Sequence, residues 1–168
     1  MIVGNILDAA ALEAAVAGQD AVISSLGSAP SGPFKEQTLL SKGTSNLVAA
    51  MQGVGVNRLI TITGIGAGDS KGHGPWFYNW LIQPLVLRGT YHDKTRQEKI
   101  VRESALDWTI VRPAILTNGA SKGIDHVRVF TALYGVHVGS IRRADVAGFC
   151  LQELMDRRYR HQAAVITN

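Results

Sequence analysis

The sequence of 168 residues contains a single cysteine, Cys150, which excludes an internal disulfide bond. Its surroundings, DVAGFCLQEL, have the apolar spacing of a helix face, so we expect a buried structural thiol. No apolar run approaches the ~20 residues that cross a bilayer, and no basic segment precedes an apolar one at the N-terminus. We therefore predict no membrane partner and no signal peptide, and with the lone thiol these absences favour a cytoplasmic protein.

Motifs that would place the protein in several other functional classes are also missing. The five histidines are dispersed and no H-x-x-x-H or C-x-x-C spacing occurs, so we predict no metal site. Neither TSN nor ISS forms a G-x-S-x-G elbow, and no hydrolase triad is indicated. The net charge is only +4, and the one basic cluster, RRYR at 157–160, is better explained as a solvated helix end than as a nucleic-acid patch. We predict no nucleic-acid partner.

The sequence does contain an alternation of strand-like and helix-like segments. The predicted strands are MIVGNI, DAVISSLG, RLITIT, DWTIVRP, a short edge strand in IDHVRVF, and AAVITN. The predicted helices are 9–17 behind Asp8 as N-cap, 34–55, 76–87, 91–104 and 143–156. Strands that alternate with helices and are apolar on both sides indicate a doubly wound α/β fold with a parallel sheet, in one domain over residues 1–168.

The glycine-rich stretch LITITGIGAGDSKGHG, residues 59–74, comes directly after one of these strands. A dinucleotide cradle requires a G-x-G-x-x-G loop that opens a helix at once, so that backbone N–H groups hold the pyrophosphate. Here the glycines continue for ten residues, and no helix is predicted before about Trp76. Gly27, after the preceding strand, stands alone before a proline loop. The sequence thus predicts a ligand loop at the carboxyl end of the sheet but no phosphate cradle.

Four segments together resemble the atypical short-chain dehydrogenase/reductase family: IVGNILDAAALEAAVAGQDAVISSLG, LVAAMQGVGVNRLITITGIGAGDSKGHG, DKTRQEKIVRESALDWTIVRP and RRADVAGF. They cover nearly the whole chain in the family's order. The most similar branch contains NAD(P)H-dependent flavin and biliverdin-IXβ reductases and NmrA-like proteins. The resemblance implies a single NAD(P)-binding Rossmann-like domain with NADP or NAD as cofactor.

The resemblance also implies a departure at the N-terminus. Family members begin with a glycine-rich βαβ segment that holds the pyrophosphate, whereas this chain starts at what would be the third strand. We therefore expect an N-terminally truncated Rossmann-like sheet in which DAVISSL lies at an edge. Exposed apolar edges recruit other strands, so we expect MIVGNI to pair there or a second copy to form a dimer. The alternative is that the chain is a fragment of a longer protein.

Candidate site residues follow from the same resemblance. Lys94 matches a family lysine near the nicotinamide ribose, with Tyr91 three residues earlier on the same helix face as a candidate proton donor. The standard short-chain spacing is four residues, and a surface lysine paired with Asp93 or Glu98 is the alternative. Thr63 matches a position near the substrate, although a structural β-branched residue is equally consistent, and Gly64 stands where some relatives have serine.

The remaining predicted cofactor contacts are mostly backbone or apolar. The residues expected along the ribose are Leu26, Gly27 and Ser28; those against the nicotinamide are Pro113, Ala114 and Ile115; those beside adenine are Asn5 and Ile6. The aromatic residues Trp76, Phe77, Tyr78 and Trp80 could line a site for a planar substrate or form a subunit contact.

The resemblance implies an oxidoreductase that transfers a hydride from NAD(P)H to a planar or conjugated acceptor such as a flavin. Two alternatives remain open at this point: a non-catalytic NmrA-like binding or regulatory module, and an inactive truncated homologue. The missing phosphate loop favours these alternatives, so the sequence leaves open whether the protein is an enzyme.

Overall fold

The main sheet is built from five strands. The computed structural model describes residues 3–29, 36–70, 72, 88–134, 136 and 138–168. The strands run in the spatial order β1–β2–β3–β7–β5, where β5 is antiparallel to β7 and the other neighbours are parallel. Their bounds are β1 Ala21–Ser24, β2 Arg58–Ile62, β3 Asp107–Pro113, β5 Arg128–Phe130 and β7 Gln162–Thr167.

Four α-helices and a small second sheet complete the described part of the fold. The helices are α1 Ala9–Val16, α2 Leu39–Gly53, α3 Arg88–Glu103 and α4 Arg143–Asp156. The second sheet consists of two parallel strands, β4 Ile115–Thr117 and β6 Ser140–Arg142. Short 3₁₀ turns lie at Gly68–Ser70 and Ile124–His126.

Two hydrophobic cores lie on opposite faces of the main sheet because side chains alternate along each strand. Leu59 of β2 packs with residues of α1, α2 and α3, whereas its neighbour Ile60 packs with residues of α4 and β7. In the same way, Ile110 of β3 belongs to the first core and Val111 to the second. The predicted doubly wound α/β class, with a mostly parallel sheet and helices on both faces, is confirmed.

Most of the predicted elements are present, and several of them have shorter bounds than predicted. The edge strand predicted in residues 124–130 is β5, and the predicted helices at 91–104 and 143–156 are α3 and α4. Asp145 lies in the first turn of α4, where its carboxylate accepts hydrogen bonds from the Ser121 hydroxyl and the backbone N–H of Lys122. The helix predicted over 76–87, with its aromatic residues Trp76, Phe77, Tyr78 and Trp80, lies outside the described residues.

The prediction of a strand over MIVGNI is wrong for its described part. Residues 3–8 form no strand, because side chains give this segment local hydrogen bonds instead. The Asn5 side chain accepts a hydrogen bond from the N–H of Leu7, and Asp8 accepts from the N–H groups of Ala10 and Ala11 at the start of α1. Asp8 is thus the N-cap that the sequence predicts, and residues 3–8 do not pair with β1.

Within the described residues, β1 is an edge strand that pairs only with β2. Ile23 on this strand is 36% exposed. Among the described residues no second strand pairs with this edge, and an edge of this kind can accept a further strand. The dimer that the sequence suggests at this edge stays a prediction.

The carboxyl ends of β2 and β3 lie side by side, since Ile62 pairs with Val111 and the Thr63 N–H donates to the Val111 carbonyl at 2.8 Å. The glycine loop is attached to the same edge by a hydrogen bond of 3.1 Å from the Ile65 N–H to the Pro113 carbonyl. This arrangement brings the residues that follow each strand together at the edge where doubly wound folds bind ligands.

Candidate functional site

A cleft of about 180 Å³ opens at this edge, between the ends of β2 and β3 and the first turns of α3. Its lining contains six residues that the sequence predicts as site residues. The lining residues are Thr63, Gly64, Ile65, Tyr91, Lys94, Pro113, Ala114, Ile115 and Leu116. The structure therefore brings together residues from three separate segments of the chain, although their roles stay a prediction.

Lys94 provides the positive charge of the cleft. Its Nζ donates a hydrogen bond of 2.6 Å to the backbone carbonyl of Thr63 and lies 5.3 Å from the ring centroid of Tyr91. Burial lowers the pKa of Lys94 below its ordinary value, and the negative charge of Glu98 opposes part of this shift. An ammonium group that is partly removed from water interacts more strongly with a polar ligand than one on the open surface.

Gly64 leaves space beside this charge. A Cβ atom at this position would lie 3.2 Å from Lys94 Nζ and 3.6 Å from the Tyr91 hydroxyl oxygen. A larger side chain would therefore fill the part of the cleft from which a ligand reaches both groups. Gly64 therefore keeps Lys94 accessible from the cleft.

Thr63 is held by both of its oxygen atoms. Its hydroxyl donates to Glu98 Oε1 at 2.7 Å, and its carbonyl accepts from Lys94 Nζ at 2.6 Å. Both bonds go to α3, so Thr63 joins β2 to that helix. The side chain is buried, and its proton is directed to Glu98 rather than into the cleft.

Pro113, Ala114 and Ile115 contribute an apolar wall to the same cleft as Lys94. Ala114 is buried, and its N–H donates to the Ile166 carbonyl of β7 at 2.9 Å. This hydrogen bond fixes the chain where β3 passes into β4. A cleft that combines apolar lining with a cation and an aromatic ring suits a planar ligand with one polar edge.

The other predicted cofactor residues lie outside the lining of this cleft. Gly27 follows β1, and the neighbouring Ser28 hydroxyl donates to the Gln37 side chain at 2.8 Å. Ile6 and Leu26 pack against α2 at Gly43, where a Cβ would come within 2.8 Å of Ile6 and 3.1 Å of Leu26. Asn5 forms the turn before α1. Their predicted contacts with ribose and adenine stay predictions.

An ion-pair network that was not predicted from the sequence lies directly behind the cleft. Arg112 donates to both carboxylate oxygens of Glu98, from Nε at 2.9 Å and from Nη2 at 2.5 Å. Both side chains are 2% exposed. Arg112 Nη2 also contacts Asp69 Oδ1 of the glycine loop at 2.5 Å. The available signal was an arginine inside an otherwise apolar strand, because such a charge requires a buried partner.

Electrostatic coupling within this network alters two pKa values. Partial burial would raise the pKa of Asp69, but the hydrogen bond and charge of Arg112 outweigh it, and the pKa lies below its ordinary value. Burial would lower the pKa of Arg112, but its bonds to Glu98 and Asp69 raise it. Asp69 and Arg112 are therefore both charged at neutral pH.

The N-termini of α1 and α2 both hold carboxylates. Asp8 accepts the first N–H groups of α1, and Asp93 of α3 accepts the N–H groups of Leu40 at 2.8 Å and Ser41 at 3.2 Å in α2. Asp93 is fully buried and caps the N-terminus of α2, so it is not the surface partner of Lys94 in the alternative interpretation. These two helix N-termini are therefore filled by the protein's own anions.

The cleft fits one end of a nicotinamide dinucleotide better than the other. The apolar wall, the space above Gly64 and the Lys94 ammonium suit a nicotinamide ring and its ribose hydroxyls. A pyrophosphate requires open N–H groups at a helix N-terminus, and carboxylates already take those of α1 and α2. On the described residues, the lining of the cleft is compatible with the nicotinamide end, and the N-termini of α1 and α2 do not offer a pyrophosphate site.

Three further predictions concern other parts of the molecule. Cys150 is 1% exposed, and burial, with a contribution from Glu153, raises the pKa of its thiol to about 12, which confirms a buried structural cysteine. Among the described residues, no group of three or more histidine, cysteine or acidic side chains could hold a metal ion. No helix in the described ranges has the length and apolar character needed to cross a membrane.

Comparison with known proteins finds both curated relatives and solved structures. A Bacillus subtilis protein described as an uncharacterized sugar epimerase, YhfK, is 27% identical over 157 residues, which are 93% of this chain and 66% of that protein. The chain therefore spans slightly less than two thirds of that relative's length.

The solved structures share the fold. ChuY of Escherichia coli O157:H7, described as an anaerobillin reductase, superposes with a TM-score of 0.79 at 22% identity, over 99% of this chain and 73% of ChuY. A short-chain dehydrogenase/reductase of Veillonella parvula, solved in complex with NADP, gives a TM-score of 0.76 at 18% identity, over 98% and 70% of the two chains. At these identities the likeness establishes a Rossmann-like fold alone.

The sequence itself establishes the family. The model of the NAD(P)H-binding family matches residues 1–157, which include α1 to α4, the cleft residues and the buried Arg112–Glu98 pair. This match agrees with the family resemblance carried by the four segments in the sequence. The chain therefore belongs to the NAD(P)H-binding family.

Proposed function

We propose that the protein is an NAD(P)H-dependent oxidoreductase that reduces a planar or conjugated acceptor, such as a flavin, in the cleft at Lys94. The observation that carries this proposal is the convergence of Lys94, Tyr91 and an apolar wall around the space at Gly64. A bound nicotinamide cofactor would supply the hydride. The protein would supply position, charge and a proton.

In this proposal Lys94 binds the cofactor's ribose hydroxyls, because its Nζ already lies at the floor of the cleft on the Thr63 carbonyl. Tyr91 lies beside it and supplies a proton to the reduced acceptor. Pro113, Ala114 and Ile115 give the flat apolar surface against which a ring packs. General acid groups of this kind contribute about 10²–10⁴-fold to a rate.

Calorimetric titration with NADPH and NADH tests the binding step. Micromolar binding supports the proposal, and no binding up to millimolar cofactor contradicts it. Gly64→Val, which places methyl groups beside Lys94 Nζ, should abolish binding. The matched control is Gly148→Ala, since a Cβ at Gly148 in α4 meets no atom within 4 Å.

Steady-state reduction of FMN by the preferred cofactor tests the catalytic step. Lys94→Met should lower kcat/KM by about 100-fold or more, and Tyr91→Phe should lower kcat more than KM. Equal rates in wild type and Tyr91→Phe would exclude Tyr91 as the proton donor. Equal rates in wild type and Lys94→Met would exclude the cleft at Lys94 as the catalytic site.

A non-catalytic binding module is the second candidate, and one observation favours it. Carboxylates fill the N-termini of α1 and α2, which leaves these positions closed to a pyrophosphate. A module of this type would bind a planar ligand in the cleft without turnover. Binding of FMN without any oxidation of NADPH or NADH would favour this candidate over the oxidoreductase.

The assembly that accompanies this function is proposed to be a dimer through the outer edge of β1. Two copies of one strand can pair about a two-fold axis, which closes both edges, and Ile23 would be covered. Light scattering should give twice the chain mass. Ile23→Lys should give one chain mass, because it places a charge on the edge. A monomeric wild type contradicts the dimer without affecting the cleft.

A further inference from the structure

The buried carboxylate of Glu98 connects the cleft to the network behind it. Glu98 Oε1 accepts from the Thr63 hydroxyl at 2.7 Å and from Arg112 Nε at 2.9 Å, and Oε2 accepts from Arg112 Nη2 at 2.5 Å. A carboxylate with three charge-assisted or short hydrogen bonds in a buried position has little freedom to rotate. Glu98 is therefore a fixed point between β2, β3 and α3.

Lys94 and Glu98 reach the same residue from one helix face. They are four residues apart on α3, which places them one turn from each other. Lys94 bonds to the carbonyl of Thr63, and Glu98 bonds to its hydroxyl. Because both groups hold Thr63, any rotation of its backbone that moves the carbonyl away from Lys94 must also disturb the bond to Glu98.

A buried ion pair is a costly way to stabilise a fold. Removing two charges from water costs several kcal/mol per ion, and apolar replacements of similar volume are often as stable. The pair of Arg112 and Glu98 lies behind a cleft rather than in the middle of a core. This placement suggests that the carboxylate does more than hold the elements together.

We propose that Glu98 is a positioning residue, which fixes Thr63 so that the Thr63 carbonyl holds Lys94 Nζ beside Tyr91 in the cleft. The proposal rests on the proposed function for the role of Lys94, but its geometry does not. Among the described residues, Tyr91 and Glu98 of α3 interact with Lys94, and Glu98 pairs in turn with Arg112 of β3, which contacts Asp69 of the glycine loop. Glu98 is the anion that opposes the effect of burial on Lys94.

Titration of the Lys94 side chain by NMR, with lysine labelled at Nζ and the full chain without cofactor, tests the proposal independently of activity. In Glu98→Gln, loss of the negative charge should move the Lys94 midpoint to lower pH, and the Lys94 ammonium protons should exchange faster with water. The matched control is Glu153→Gln, which neutralises the other buried glutamate paired with an arginine, Arg58. This control should leave the Lys94 midpoint unchanged.

Glu98→Gln leaves the Arg112 charge without its full partner, so the variant can fail to fold. Thr63→Val gives a second test, because it keeps both charges and the shape of the side chain but removes the hydroxyl bond to Glu98. Faster proton exchange at Lys94 in Thr63→Val supports positioning. An unchanged Lys94 signal in a folded Glu98→Gln or in Thr63→Val overturns it.

The outcome separates the two proposals. If Lys94 responds to both substitutions but neither NADPH nor NADH binds, positioning by Glu98 stands and the oxidoreductase function fails. If cofactor binds and FMN is reduced while the midpoint and proton exchange of Lys94 are unchanged in Glu98→Gln, the function stands and the positioning role fails. With both correct, Glu98→Gln should lower kcat/KM and shift its pH profile, whereas Glu153→Gln should shift neither.

Discussion

The described part of the chain contains two buried networks of arginine with acidic groups, one at each end of the sheet. At the amino end, Arg58 of β2 bonds to Glu153 of α4 at 2.9 Å and lies 3.5 Å from Asp107 of β3. At the carboxyl end, Arg112 of β3 bonds to Glu98 of α3 and to Asp69. Both arginines lie on central strands, yet their surroundings differ.

The amino-end network joins elements of the fold and also reaches the surface, since Asp107 Oδ1 accepts from the half-exposed Arg160 at 2.7 Å. Glu153 accepts hydrogen bonds from the Thr109 hydroxyl and from the backbone N–H groups of Arg158 and Tyr159. Those contacts join α4 to the turn that leads into β7. The partners of Glu153 are thus a strand hydroxyl and backbone groups at the end of a helix, and none of these partners lines the cleft.

The carboxyl-end network borders an open space. Glu98 shares Thr63 with Lys94, and Arg112 reaches Asp69, which is 73% exposed on the glycine loop. The same pairing of residue types therefore connects a buried position to the cleft on one side and to solvent on the other. The comparison indicates that burial alone does not define the role of an ion pair. The role depends on the further group that the carboxylate holds, which is the end of a helix for Glu153 and Thr63 of the cleft for Glu98.

Removal of each arginine should have the largest effect and should separate the two networks. Arg58→Met and Arg112→Met each leave a buried carboxylate unpaired, so each should lower the free energy of unfolding by about 3–5 kcal/mol. Urea denaturation followed by circular dichroism measures this. Only Arg112→Met should also weaken cofactor binding. Equal losses of binding in both variants would contradict the inference that only the carboxyl-end network supports the cleft.

A substitution in the glycine loop should have a medium effect. Gly68 has φ +55°, and a Cβ there would lie 2.7 Å from both Arg112 Nη2 and Glu98 Oε2. Gly68→Ala should cost about 1–3 kcal/mol, because it adds backbone strain and displaces a buried ion pair. Gly148→Ala in α4 is the control, with no atom within 4 Å of the added Cβ. A thermal melt of Gly68→Ala equal to that of wild type would contradict this reading.

The pH dependence of the carboxyl-end network should be the smallest effect. The pKa of Asp69 is lower in the folded protein than its ordinary value. Its contribution to stability is therefore fully present above the unfolded-state pKa and is lost as the pH falls through the folded-state pKa. Asp69→Asn should be less stable than wild type at pH 7, with the difference shrinking in acid. A difference that does not change with pH would exclude the ion pair as its cause.

The sequence predicted the class of the fold because the strand signals were local. AVIS, RLITI and DWTIVRP are apolar runs with β-branched residues, and these became β1, β2 and β3. The segment MIVGNI has similar composition, but Asn5 and Asp8 bond to neighbouring N–H groups, and residues 3–8 form no strand. Short polar side chains that compete for the backbone decided this difference.

The candidate site was predictable only in part. The family resemblance indicated Lys94, Tyr91, Thr63 and the segment after Pro113, and the structure collects them in one cleft. The pair of Arg112 with Glu98 joins a strand to a helix 14 residues earlier in the chain. No periodicity within either element indicates such a partner, because the pairing depends on how α3 packs against the sheet.

The cap of α2 has a consequence for how the chain folds. Thr38, at the N-cap position, provides no side-chain hydrogen bond, and the first N–H groups of this helix depend on Asp93, 53 residues away from Leu40. The first turn of α2 is therefore complete only after α3 has docked. We expect the two helices to form in a single cooperative step, so that amide hydrogen exchange at Leu40 and Ser41 reports the opening of α3 as well as their own.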